Sequence, residues 1–262
     1  MIYFKKFGQG KQQIILLHGW GGSWRSWLPV IERLKESFVV YAVDLPGFGG
    51  SPLPRPYGLA DYVKSLEEFF DKEKILKPVL VGHSFGGQIA GLFASEKPKK
   101  ISGLVLVDAA IIRDNSFPVR FQIFFSGLGK KMILSSPLRL FYPFLRKTYY
   151  RLRTGLGLAG EDYFSATNDK ILSETLAIIL REDLGEKIEN ISCPVLIFWG
   201  GKDTVTSPAM AEKMAGKIRR AKVVIIPEAG HFSYLDGREE FCEEIKNFID
   251  SLEGSNPKGI DP

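Results

Sequence analysis

The sequence predicts an α/β fold: a mostly parallel central sheet with helices on both faces and a helical cap inserted after the sixth strand. Three observations carry this expectation. Short, continuous, β-branched-rich apolar runs alternate with helical stretches, as buried parallel strands do. The alternation breaks between Ile111 and Ile188 and then resumes. Polar residues of reactive type fall just after the carboxyl ends of the apolar runs, where open parallel sheets build their sites.

The elements follow in order. Met1 to Lys6 reads as a strand and lacks the charged, apolar and small-residue blocks of a signal peptide. Apolar runs occupy Gln13 to Leu17, Phe38 to Leu45, Pro78 to Gly82 and Ile101 to Asp108. Helical patterns lie between them, at Ser26 to Glu36, Leu59 to Glu73 and Phe85 to Glu96. Residues 111–188 hold no buried-strand pattern; they carry helical stretches at Pro137 to Arg153 and Asp169 to Arg181. Strand runs return at Pro194 to Trp199 and Ala221 to Pro227, and Arg238 to Leu252 closes the chain as an amphipathic helix. The domain expectation is therefore a core of residues 1–110 and 189–262 interrupted by a cap of residues 111–188.

At 262 residues the chain fits one domain. It is large enough to bury roughly three quarters of its unfolded surface without disulfides or metals. Cys193 and Cys242 lie in no C-x-x-C or ligand cluster and read as reduced core thiols, which with the absence of a ~20-residue apolar run predicts a cytoplasmic protein with no membrane span. The net charge is +5, but residues 111–160 alone hold nine Lys/Arg against one Asp. A basic coat suited to nucleic acid is excluded; the charge is local.

Gly82-His83-Ser84-Phe85-Gly86 is a G-x-S-x-G motif that follows a strand and opens a helix. In that context it is a nucleophile elbow, with Ser84 in a strained backbone and glycines two positions away for lack of room. The chain has three histidines. His231, in the loop after the last strand, is placed to take the proton of Ser84 as general base. His83 reads as structural. Asp203, in Gly200-Gly201-Lys202-Asp203, is the expected acid that orients His231, and the chain order Ser84, Asp203, His231 suits this architecture. Asp108, ending an earlier strand, is the rival acid; Asp44 and Asp236 read as loop-structuring. His18-Gly19-Trp20-Gly21-Gly22 follows the first long run and lacks the Lys-Ser/Thr of a phosphate loop. It predicts an oxyanion hole made by the backbone N–H groups of Trp20 and Phe85. Ser, His, Asp and backbone donors suffice for such chemistry, so no metal or organic cofactor is expected.

These motifs, with Trp27, Asp44-Leu45-Pro46-Gly47-Phe48-Gly49-Gly50-Ser51 and Gly230-His231, make the chain resemble the α/β-hydrolase superfamily over nearly its whole length. The resemblance implies the α/β-hydrolase fold with residues 111–188 as its helical cap. It also implies acyl transfer, because members acting on haloalkanes and epoxides carry Asp where Ser84 stands. The expectation is a carboxylesterase cleaving short- to medium-chain acyl esters of small molecules. Carrier-protein methyl ester esterase, thioesterase, carbon–carbon bond hydrolase and a non-catalytic ligand receptor are the alternatives. His18-Gly19-Trp20-Gly21 and Asp44 to Gly49 are similar to the pimeloyl-carrier-protein methyl ester esterases, although His83 departs from the Trp that subgroup often has. That likeness implies an acidic carrier protein as partner for Arg139, Arg146, Lys147, Arg151 and Arg153, which otherwise read as solvated arginines and lysine on amphipathic cap helices. Among Phe117, Phe121, Phe124, Phe125, Phe141, Tyr142 and Phe144, some are expected to line an acyl pocket.

Overall fold

The computed structural model describes residues 1–112 and 170–254. Seven strands form one sheet: β1 Tyr3–Phe7, β2 Gln13–Leu17, β3 Val39–Asp44, β4 Val79–His83, β5 Gly103–Val107, β6 Val195–Gly200 and β7 Ala221–Ile226. Their spatial order is β1-β3-β2-β4-β5-β6-β7. Only β1 runs antiparallel, against β3; the other pairings are parallel. Each expected strand is present within two residues of its anticipated ends.

The side-chain period of two divides each central strand between two core layers. Ile15 and Leu17 of β2 face one layer, Ile14 and Leu16 the other. The first layer is closed by α2 Leu59–Glu73, α3 Phe85–Glu96, α4 Lys170–Ile179 and α5 Ala209–Lys217. The second is closed by α1 Leu28–Leu34, α6 Ser233–Asp236 and α7 Arg238–Gly254. Residues of β4, β5 and β6 are buried throughout, whereas β7 at the sheet edge is only half covered. The helix expected over Ser26 to Glu36 is instead a 3-10 turn, Trp24–Trp27, leading into α1; Pro29, which has no N–H to give, sits in the first turn of α1, where none is required.

The break in the alternation follows the fifth strand rather than the sixth, because the N-terminal segment contributes a single strand ahead of β2. Of the cap assigned to residues 111–188, residues 113–169 lie outside the described residues, as does the helix expected over Pro137 to Arg153. The described return is helical and tied to the core. Tyr57 N–H donates to Thr175 Oγ1 at 3.1 Å, and Leu59 N–H, at the start of α2, donates to Glu182 Oε1 at 2.9 Å. Among the described residues no helix is long and apolar enough to cross a membrane.

Candidate active site

β4 ends in a sharp turn that lifts Ser84 out of the sheet. Ser84 takes φ +50° and ψ −111°, a region costly for a residue with a side chain. Hydrogen bonds hold it there: its N–H donates to Val107 O at 2.9 Å, and its carbonyl accepts from Gln88 N–H at 3.1 Å and Ala110 N–H at 3.2 Å. The turn is crowded on both sides. A methyl group at Gly82 would lie 2.3 Å from Gly86 O, and one at Gly86 would lie 2.4 Å from Leu17 O. The glycines of the motif are therefore steric requirements, as the sequence predicts.

Three parallel strands bring three distant residues together beyond their carboxyl ends. His231, in the loop after β7, has Nε2 3.1 Å from Ser84 Oγ and Nδ1 2.8 Å from Asp203 Oδ2. With Nδ1 protonated toward the carboxylate, Nε2 presents its lone pair to the serine hydroxyl. Asp203, in the loop after β6, accepts at Oδ1 from Val205 N–H at 2.7 Å and Thr206 N–H at 3.0 Å, and at Oδ2 from Thr206 Oγ1 at 2.6 Å. Burial opposes ionisation of Asp203, but the hydrogen bond and charge of His231 and these donors outweigh it and hold the carboxyl below its ordinary range. Thr206 is a site residue that sequence reasoning missed. Its signal is the D-x-x-T spacing, which lets a hydroxyl and an N–H close back on a carboxylate.

The remaining acids and histidines have other partners. Asp108 takes φ +45° at the end of β5, and its oxygens accept from Gly200 N–H at 2.9 Å, Ser233 N–H at 3.0 Å and Ser233 Oγ at 2.7 Å. Burial, in first place, pushes its carboxyl up to about 7. Asp44 binds Trp24 N–H and Gly50 N–H, and Asp236 binds Gly230 N–H, the loop-structuring roles expected of both. His83 is buried and donates from Nε2 to the backbone carbonyl of His231 at 2.7 Å; burial drives its pKa down to about 3. His18 donates from Nδ1 to Gly19 O at 2.7 Å and accepts Leu45 N–H at Nε2 at 3.0 Å, and burial lowers it to about 4. Both rings are thus neutral struts.

The two residues expected to donate to an oxyanion, Trp20 and Phe85, lie on segments next to Ser84. Phe85 opens α3, so its N–H has no acceptor within the helix. The turn bearing Trp20 lies directly against Ser84: a methyl group at Gly19 would lie 2.8 Å from His83 Nδ1 and 3.4 Å from Ser84 Cβ. The Trp20 ring packs edge-on against Phe85, 5.2 Å between centroids, and against Phe48 at 5.1 Å; Phe85 in turn meets Tyr62 at 5.1 Å. An aromatic wall thus borders the Ser84 turn. Among the described residues no cluster of three or more His, Cys, Asp or Glu is arranged to hold a metal ion. The expected cap aromatics, Phe117 to Phe144, and cap basic residues, Arg139 to Arg153, lie outside the described residues.

The sequence matches the model of the alpha/beta hydrolase family over residues 14–244. It is similar to a pimeloyl-acyl-carrier-protein methyl ester esterase of Neisseria meningitidis serogroup B, at 26% identity over 253 residues, 94% of this chain and 96% of that protein. Among solved structures, the enol-lactonase of Burkholderia xenovorans superposes with a TM-score of 0.78 at 21% identity, covering 95% of this chain and 96% of that one. An esterase of Exiguobacterium antarcticum gives a TM-score of 0.78 at 22% identity, covering 95% of each chain. These two likenesses are of fold.

Proposed function

The chain belongs to the alpha/beta hydrolase family, and from that premise we propose that it is a serine ester hydrolase, a carboxylesterase acting on short- to medium-chain acyl esters. The observation that carries this reading is the unbroken relay from Ser84 Oγ through the His231 ring to Asp203 Oδ2, with contacts of 3.1 and 2.8 Å. In the proposed reaction Ser84 Oγ attacks the acyl carbon while His231 Nε2 takes its proton. The oxyanion that forms accepts hydrogen bonds from the N–H groups of Trp20 and Phe85, a contribution of about 3–4 kcal/mol per donor in serine hydrolases. The intermediate collapses, and His231 returns the proton to the leaving alkoxide, releasing the alcohol. Water, deprotonated by His231, then attacks the acyl-Ser84 ester; the acyl–Oγ bond breaks, His231 returns the proton to Ser84 Oγ, and the carboxylic acid leaves. Asp203 stays ionised throughout and steadies the imidazolium. Residues 111–188 act as the cap over a core of 1–110 and 189–262, and the buried, unpaired thiols of Cys193 and Cys242 suit a cytoplasmic enzyme.

A second reading is favoured by one observation, the similarity to a carrier-protein methyl ester esterase over 94% of this chain. On that reading the ester is a methyl ester presented by an acidic acyl carrier protein. Hydrolysis of p-nitrophenyl acetate, butyrate, octanoate and decanoate, measured for the wild type and Ser84→Ala, tests the first reading. Turnover by the wild type and a loss on the order of 10⁶ in kcat for the variant are expected; equal rates would refute the mechanism. Offering one methyl ester both free and on an acyl carrier protein separates the two readings. A kcat/KM raised about 100-fold or more on the carrier favours the second, and equal values favour the first, because a docked partner adds binding energy remote from the reacting bond.

A further inference from the structure

Asp108 makes no part of the relay, yet its neighbours are the turns that do. It stands at the end of β5, between β4, which delivers Ser84, and β6, which leads to Asp203. Oδ1 accepts the N–H of Gly200, the last residue of β6. Oδ2 accepts both the N–H and the hydroxyl of Ser233. Gly200 stands three residues before Asp203, and Ser233 two residues after His231. The Asp108 backbone carbonyl lies 3.1 Å from Thr206 Oγ1, the hydroxyl that donates to Asp203 Oδ2. The residue is wholly buried and holds a left-handed backbone without being glycine. Strain at a buried, multiply bonded residue persists only where the surroundings over-determine it.

We propose that Asp108 is a positioning residue, whose single carboxyl group fixes the turn carrying Asp203 against the turn carrying His231 so that the imidazole is aimed at Ser84. The inference rests on the triad reading above and adds a fourth side chain to it. Three donors from two turns converge on two oxygens. Only a group that accepts on both sides meets them, and a carboxyl does so whether or not it is protonated, since each oxygen keeps a lone pair. An amide does not. Its oxygen satisfies one turn, and its NH₂ then points at an N–H donor of the other, which must withdraw. Aspartate to asparagine is therefore a change of one turn's position at nearly constant volume.

The test compares wild type, Asp108→Asn and Ser233→Ala on p-nitrophenyl butyrate from pH 5 to 9, alongside Ser84→Ala and thermal melts. The groups facing the His231 imidazole are Asp203, the neutral His83 ring 5.0 Å away, and Asp108 beyond Thr206 and Ser233. For Asp108→Asn, kcat should fall about 10- to 100-fold with KM changed less than about two-fold, the signature of a misaimed base. The acid limb of kcat/KM should move to lower pH, because an imidazolium that loses its aligned carboxylate is less stabilised. Ser233→Ala, which leaves the N–H bond in place, should show the same pattern at about 3- to 10-fold. A folded Asp108→Asn with a lower melting temperature but unchanged kcat and acid limb would overturn the proposal and leave a purely structural tie. If Asp108→Asn does not fold, Ser233→Ala decides: unchanged kcat and acid limb overturn it, and the shifted pattern supports it. Activity that survives Ser84→Ala would instead overturn the triad reading, and this inference with it.

Discussion

At the scale of the residue, the division of labour among three histidines is the clearest finding. They share a side chain and differ in what the fold does to its nitrogens. His18 and His83 have each ring donor committed to a backbone carbonyl, and burial keeps both neutral, at about 4 and about 3. His231 alone turns a ring nitrogen toward a serine hydroxyl. The sequence anticipated that His231 would lie beside Ser84, because a histidine in the loop after the last strand of such a sheet can reach over the strand ends. It assigned His83 to structure but not to its partner, which lies 148 residues away in the chain. That partner suggests a test. His83→Phe leaves the buried His231 carbonyl without a donor, at a cost of about 1–3 kcal/mol. At about 2–4 °C per kcal/mol for a chain of this size, scanning calorimetry should record a melting temperature several degrees lower. His83→Gln, which keeps an N–H, should recover part of the loss; equal melting temperatures for the two variants would show that the bond contributes nothing. Asp108 was legible only as a competing acid, since its donors come from Gly200 and Ser233, far along the chain.

At the scale of the element, what the sequence revealed was local and what it hid was not. The elbow reads directly, because strand, glycines and helix are adjacent and the crowding of Gly82 against Gly86 is a short-range fact. The strands β2, β4, β5 and β6 read as unbroken apolar runs for the same reason. α5 went unrecognised: it is nine residues long, and it buries only Met210, Ala211 and Met214, too narrow a stripe to stand out among Glu212, Lys213 and Lys217. The tether between the turn after α4 and α2 was likewise invisible. Glu182 serves the start of α2 from across the insertion, receiving the Leu59 N–H that no residue of the helix can accept. Its removal should resemble the loss of a helix cap. Glu182→Ala is expected to lower unfolding stability by about 0.5–2 kcal/mol in urea titrations with no change in m-value; a midpoint equal to that of the wild type would show water to be an equal substitute.

At the scale of the whole molecule, buried titratable groups set how stability varies with pH, and the signs differ. His18 and His83 are held neutral when folded but charge in the unfolded chain below about 6.5. The unfolded state therefore binds two more protons at pH 5, and these groups make stability rise with pH up to about 6.5. Asp108, raised to about 7, does the reverse: the folded state keeps a proton that the unfolded state releases above about 3.9, so its contribution is present below that value and is lost as pH climbs to 7. Asp203, held low, is ionised in both states across this window and acts only below it. Among His18, His83 and Asp108 the balance near pH 5 is about one proton, a share on the order of 1 kcal/mol per pH unit. In Asp108→Asn the slope should steepen by on the order of 1 kcal/mol per pH unit, whatever the offset in stability; urea unfolding at pH 4.5, 5.5 and 6.5 measures both, and parallel slopes would contradict the assignment of Asp108. The fold class and the order of the three catalytic candidates were legible because each follows its own strand. The antiparallel pairing of β1 with β3 was not, since nothing in a five-residue strand announces its neighbour. The distance along the chain between Ser84 and His231, 147 residues, also bears on how the molecule is made. A ribosome delivers Ser84 well before it delivers His231. On the proposed mechanism a nascent chain that ends short of His231 carries an inert serine, and the ability to cut an ester arrives only once the loop after β7 has been made, so that the partly synthesised sheet is harmless to the esters around it.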